Sequence, residues 1–322
     1  MVQKLKCIFM GTPKFCLPTL ESLLENEFIE LVGIVSMPDR PAGRGQQLQS
    51  PAVAQFAKDN GIKLFQTPNI NKCEEFISYC NANSIDFFLV LSFAQFLNNK
   101  TLSLPKLGCF NIHTSLLPKY RGAAPIHYAL KNGDKETGVS IQKMVKKMDA
   151  GDICTELKIP ISSDDDINSL SQRLSLLCSD ATKSFIHDLI NNKLHYRTQD
   201  EDNVSFAPEF GKDIGLLKFE NSTAVEIFNQ FRAFKNWPSL FFFIDGVRFK
   251  VIEMQLDQAS SSGKPGDCHV NDNALKVSTT KGSILITSLQ QEGKKAITAK
   301  DYKNFLKSKG LPLDFHIKDC DL

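Results

Sequence analysis

Asn111 and His113 stand two residues apart in the run Asn111-Ile112-His113-Thr114-Ser115-Leu116-Leu117-Pro118. If both extend a β-strand, its period of two turns the two side chains to one face. An amide donor beside an imidazole is suited to holding a developing oxyanion. Taken alone, such a pair is more often a structural Asn and His satisfied within the fold. Asp149, in Met148-Asp149-Ala150-Gly151-Asp152, follows the strand-like run 139–145 and can bring a carboxylate to the same rim. A turn or helix-cap aspartate is the equally good alternative for that residue.

Such a trio needs strands whose ends converge. Residues 7–10, 31–35, 87–91 and 109–112 are short apolar runs of the kind that form buried parallel strands. Amphipathic stretches at 17–24, 51–60 and 71–81 lie between them. This alternation predicts an open α/β sheet with right-handed crossovers, whose ligands sit beyond the carboxyl ends of the strands. Gly11-Thr12-Pro13, Ser36-Met37-Pro38-Asp39 and Asn111-Ile112-His113 each directly follow such a strand and are candidates for one cleft. A helical period runs through 167–194, and the polar run 196–205 reads as an exposed linker. Beyond it, short strands at 240–244, 248–254, 275–278 and 283–287 alternate with turns at Asp245-Gly246, Ser260 to Gly266 and Lys281-Gly282, which suggests a small β-barrel. The expected division is residues 1–195, a linker at 196–205, and a second domain at 206–322. Two domains suit 322 residues.

Other chemistries are disfavoured. The loop after the first strand lacks GxGxxG spacing, and Pro13 removes one of its N–H groups, which argues against a dinucleotide site. Asp39 to Gln46 is not a phosphate-binding P-loop, because no GK[ST] follows. The nine cysteines are scattered, without CxxC pairs or zinc-ligand spacing, which fits small buried hydrophobes in a reducing compartment. A net charge of +2 means that any nucleic acid must be met by a local basic surface. The apolar stretch before Gly11 is too short for a signal segment and no later run approaches a membrane span, so the chain reads as cytoplasmic.

The segment from Asn111 to Ile126, with Asp149, resembles the signature of the folate-dependent formyltransferases. Phe9-Met10-Gly11-Thr12-Pro13, Asp39 to Gln46, Ala123-Ala124-Pro125-Ile126 and Thr137-Gly138-Val139 resemble the branch acting on charged tRNA. So do Phe206-Ala207-Pro208, Arg232-Ala233-Phe234, Trp237-Pro238 and Gly293-Lys294-Lys295-Ala296, so the similarity spans nearly the whole chain. The resemblance implies a Rossmann-like, mostly parallel formyltransferase domain followed by an OB-like barrel that binds tRNA. It implies 10-formyltetrahydrofolate as donor, methionyl initiator tRNA as acceptor, no metal, no membrane, and a monomer. Asn111, His113 and Asp149 would be catalytic. Ser115, Leu116, Leu117, Pro118, Phe93 and Ala94 would shape the folate pocket, with the Leu117–Pro118 bond expected to be cis. Arg40, Arg44, Arg232, Lys294 and Lys295 would meet the tRNA. One departure from the family lies near the folate site: Ser92-Phe93-Ala94 replaces the usual Ala-Tyr-Gly, adding a Cβ at Ala94.

Overall fold

Runs that are apolar on both sides of the pleat fold stably only where both sheet faces are covered. The computed structural model describes residues 4–42, 47–257 and 263–320. The chain divides into one unit of Met1–Pro125, Glu136–Pro160 and Ser169–Ala207, and another of Ile126–Lys135, Ile161–Asn168 and Pro208–Leu322.

In the first unit the strands are β1 (Leu5–Gly11), β2 (Ile29–Ser36), β3 (Arg40–Ala42), β4 (Gln47–Gln49), β5 (Leu64–Gln66), β6 (Phe87–Leu91), β7 (Gly108–His113), β8 (Glu136–Lys143) and β9 (Ile153–Pro160). Seven form one sheet in the order β5-β2-β1-β6-β7-β8-β9. Pairing is parallel from β5 to β7 and antiparallel from β7 to β9. Among the described residues the short β3 and β4 form a separate two-stranded sheet. Helices α1 (Leu17–Leu24), α2 (Ala52–Asp59), α3 (Glu74–Asn83), α4 (Asn99–Leu102) and α6 (Ile167–Ile190) connect or follow the strands, while α5 (Pro125–Lys131) falls almost wholly in the second unit. Strand β6 reads Phe-Phe-Leu-Val-Leu and is buried throughout. Its successive side chains point to opposite faces. Phe88 therefore meets Phe76 of α3, with ring centroids 5.6 Å apart. Phe87 meets Phe110 of β7 at 6.4 Å and Phe185 of α6 at 6.0 Å. One strand thus feeds two cores.

Residues 196–205, expected as an exposed linker, are mostly exposed but are fastened to the first unit. Arg197 exchanges backbone hydrogen bonds with Ile153, and Gln199 is 5% exposed. The polar texture of this run reflects buried amide bonding as well as solvent.

The second unit contains α7 (Ala224–Phe234), β10 (Phe241–Ile244), β11 (Val247–Leu256), β12 (Asp267–Val270), β13 (Leu275–Ser278), β14 (Ser283–Gln291), β15 (Ala296–Thr298), α8 (Ala299–Ser308) and β16 (Asp314–His316). The path β10-β11-β14-β13-β12-β16 is antiparallel, with β15 added against β14. The Asp245-Gly246 turn has φ of 49° and 76°, the pair of positive angles that a tight two-residue hairpin requires. Both helices begin with reciprocal capping boxes, Thr223 with Glu226 and Thr298 with Asp301. Ser260 to Ser262 of the expected turn lie outside the described residues.

His127 packs in this unit against Phe210 at 4.9 Å and stacks on Phe234 at 6.0 Å. Burial pushes its imidazole down to about 4. An unfolded histidine takes up its proton near pH 6.5, so between about 6.5 and about 4 the unfolded chain binds more protons and stability falls as pH falls. His127→Phe keeps an aromatic ring there and should flatten that acid slope in urea-unfolding midpoints. An unchanged slope would show that His127 is not its source.

Candidate active site

Parallel pairing brings the carboxyl ends of β1, β6 and β7 to one rim, with Gly11 beside Leu91 and Val90 beside Asn111. Antiparallel β8 then places Gln142 opposite Asn111 and Ser140 opposite His113. Residues directly opposite in such a ladder share a face, so two amides, an imidazole and a hydroxyl gather on one side. The chain leaves β8, loops, and returns as β9, and the Lys143 N–H donates to the Asp152 carbonyl at 2.9 Å to close the loop. Within it Asp149 adopts φ 51°. A left-handed conformation costs a non-glycine residue about 1–3 kcal/mol and persists only where surrounding bonds impose it.

Those bonds are present. Asp149 Oδ1 accepts from Gln142 Nε2 at 3.0 Å and from Asn111 Nδ2 at 3.3 Å. Its Oδ2 accepts from the Gly122 N–H at 2.9 Å and lies 3.7 Å from His113 Nδ1. His113 is 6% exposed, and its Nε2 is 2.8 Å from the Tyr120 carbonyl. A carbonyl only accepts, so Nε2 carries the hydrogen there and Nδ1 is the nitrogen turned toward Asp149. The three residues singled out from sequence therefore do converge. Asn111 Nδ2 has two hydrogens and gives one to Asp149, which leaves the second as a donor at the rim.

Sequence reasoning missed the supports. Gln142 also accepts from the Gly151 N–H at 2.9 Å, so its amide spans the loop. Arg121, 2% exposed, donates through Nε and Nη2 to Gln199 Oε1 at 3.0 and 2.8 Å. Its Nη2 also reaches Glu201 at 2.7 Å, and that guanidinium, helped by Lys147, holds the exposed Glu201 carboxyl down to about 2. The one sequence signal for Gln142 is its period-two spacing from Ser140, and it becomes informative only once the β7–β8 register is known.

The expected folate contacts separate into two groups. Ser115 is buried and donates Oγ to the Lys119 carbonyl at 2.6 Å, while the buried Leu117 N–H donates to Ser140 Oγ at 3.1 Å. Both of these groups are spent on the turn that presents Leu116 and Pro118. Leu116, Pro118 and Phe93 are half-buried and Ala94 is exposed. The Leu117–Pro118 peptide is cis, as expected. The left-handed residue after β6 is Ser92, φ 50°, and not Ala94, so the missing glycine there imposes no strain. The rim suits a polar co-substrate: besides the second Asn111 hydrogen, Thr12 Oγ1 is buried without a partner among the described residues.

Among the expected tRNA contacts, Arg40 on β3 and Lys294 and Lys295 of the second unit are exposed. Lys294 Nζ lies 5.7 Å from the centre of the Phe305 ring. Arg44 lies outside the described residues. Arg232 is corrected. It is 8% exposed, and Nη1 donates to the carbonyls of Ser162 at 3.2 Å and Asp165 at 3.0 Å, with Nη2 on Asn229 at 2.7 Å. Its guanidinium is thus buried and largely engaged within the second unit, not presented as a surface cation.

Residues 4–184 match the formyl transferase family model, and residues 211–307 match that of the formyl transferase C-terminal domain. The methionyl-tRNA formyltransferase of Mesoplasma florum is 36% identical over 303 residues, 94% of this chain and 96% of its own. That of Geobacter sulfurreducens is 37% identical over 299 residues, 92% of this chain and 93% of its own. Among solved structures, the sugar 3N-formyl transferase WlaRD, crystallised in the presence of dTDP and 5-N-formyl-THF, superposes with a TM-score of 0.67 at 24% identity. The match covers 91% of this chain and 100% of that one.

A Cβ built on Gly151 would collide with the Lys143 carbonyl oxygen, a backbone atom that cannot step aside. Gly151→Ala should therefore destabilise the protein by roughly 1–3 kcal/mol, the usual cost of overpacking. An unaltered melting temperature would show that the loop has room to spare.

Proposed function

The chain belongs to the formyl transferase family, and we propose from that premise how its residues carry a formyl group from 10-formyltetrahydrofolate to the α-amino group of methionyl initiator tRNA. It is an enzyme, a one-carbon transferase. When bound, the folate supplies the formyl carbon, already activated on nitrogen. The neutral amine of the methionyl group attacks that carbon, a new C–N bond forms, and the bond to the folate nitrogen breaks. The proton lost by the amine ends on the departing nitrogen, so no redox partner is needed.

Three residues act on this exchange. Asn111 donates its second Nδ2 hydrogen to the formyl oxygen as negative charge builds there. The His113 ring, fixed by its donation to Tyr120, keeps Nδ1 toward Asp149, so imidazole and carboxylate form one proton-handling unit. Asp149 orients that ring and receives the amine's proton in transit. The observation that carries this reading is a single carboxylate within 3.3 Å of the Asn111 amide and 3.7 Å of the His113 ring, at the carboxyl edge of a mostly parallel sheet. Leu116, Pro118, Phe93 and Ala94 line the folate side. Arg40, Arg44, Lys294 and Lys295 meet tRNA phosphates. The same reading takes the chain to be a cytoplasmic monomer. Its nine free cysteines support a reducing compartment, and no helix among the described residues is long and apolar enough to cross a membrane.

Purified protein given 10-formyltetrahydrofolate should formylate charged initiator tRNA and leave free methionine unmodified. Transfer to the free amino acid at a comparable rate would remove the tRNA from the reading. Asn111→Ala, His113→Ala and Asp149→Ala should each lose roughly 10²-fold or more in kcat, the scale of a lost oxyanion donor. Near-normal turnover by the His113 variant defeats the assignment. Arg44→Ala should raise KM for tRNA without changing folate affinity, and an equal loss of both would point to misfolding.

A further inference from the structure

Asp149 is held from two directions. Side chains of its own sheet and the Gly122 N–H meet its carboxylate, but its main chain is gripped by a residue 50 positions downstream. Gln199 donates Nε2 to the carbonyls of Asp149 at 2.8 Å and Gly151 at 2.7 Å. Its Oε1 accepts from Arg121 Nε and Nη2. Both amide hydrogens and the carbonyl oxygen are thus used within the protein. Neighbouring residues stitch the same segment down at two loops. Arg197 exchanges backbone bonds with Ile153 just beyond the Asp149 loop, and Ser205 takes the Arg121 N–H on its carbonyl and the Tyr120 N–H on its hydroxyl, each at 2.9 Å. The Tyr120–Gly122 loop in turn supplies the His113 ring with a carbonyl and the Asp149 carboxylate with an N–H.

We propose that Gln199 is a positioning residue for formyl transfer, whose amide ties the Asp149 loop to the Arg121 loop and so fixes the approach of the Asp149 carboxylate to Asn111 and His113. The proposal rests on the role given to Asp149 above. Among the described residues Gln199 hydrogen-bonds with main-chain carbonyls, Gln142 and Arg121, so it acts through Asp149 and touches no reacting atom. The left-handed backbone at Asp149 is what the clamp must sustain, since released strain would let the loop relax away from the rim.

Steady-state kinetics of Gln199→Glu, Gln199→Met, Asp149→Ala and the Gln199→Glu/Asp149→Ala double variant test this, with melting temperatures and circular dichroism alongside. Gln199→Glu keeps the size and the Arg121 bond but turns an oxygen, not a donor, toward the two carbonyls. Gln199→Met removes all polar contacts at similar length. Both should fold and lose about 10- to 10²-fold in kcat, the effect of a displacement of roughly 1 Å at a catalytic group. KM for 10-formyltetrahydrofolate should stay within about twofold, the pattern of an interaction lost only in the transition state. In the Asp149→Ala background the Gln199→Glu change should cost less than about twofold more, because the group it positions is gone. Wild-type kcat in both Gln199 variants, an undiminished loss in the double variant, or failure of both variants to fold would each overturn the proposal and leave a purely structural glutamine. Full loss in Asp149→Ala beside wild-type Gln199 variants removes the proposal alone. Near-normal turnover in Asp149→Ala removes the reading of Asp149 and the proposal with it.

Discussion

A carboxylate drawn partly out of water must find donors for its lone pairs or pay the full cost of losing its hydration. Asp149, with its side chain 11% exposed, finds a glutamine, an asparagine and a backbone N–H, with an imidazole at longer range. Each donor comes from a different piece of chain: β7, β8 and the Tyr120–Gly122 loop. They reach one carboxylate only because β8 turns back antiparallel on an otherwise parallel sheet. Parallel neighbours need a crossover of a dozen or more residues, whereas the antiparallel β8–β9 pair is closed by the short loop that holds Asp149. The antiparallel return keeps the Asp149 loop beside the strand that carries Asn111 and His113.

That constraint explains where reading the chain alone succeeded. Local period gave the buried strands, because β1 and β6 are apolar on both faces, and gave the helices near 17–24, 51–60 and 71–81 to within a few residues. Asn111 and His113 were legible as a same-face pair because they share one strand. The Asp245-Gly246 hairpin was legible because its angles demand those residues. Strands β12, β15 and β16 were not, being three or four residues long and defined by partners distant in sequence.

The errors share one cause. Polarity along a chain is the same whether a side chain faces solvent or a buried carbonyl. Arg232 reads as a surface cation, yet its acceptors lie 67 and 70 residues upstream. Gln199 reads as part of a linker, yet it is 5% exposed.

The late arrival of the 196–205 segment has a consequence for how the protein becomes competent during synthesis. Asn111, His113 and Asp149 are all synthesised before Gln199, which lies 50 residues beyond Asp149, and chains fold from the N-terminal side as they are made. A chain ending between Asp149 and Gln199 would carry every reacting group, yet its Asp149 loop would lack the tether that fastens it. The polar clamp of the first unit is therefore complete only with the last stretch of that unit.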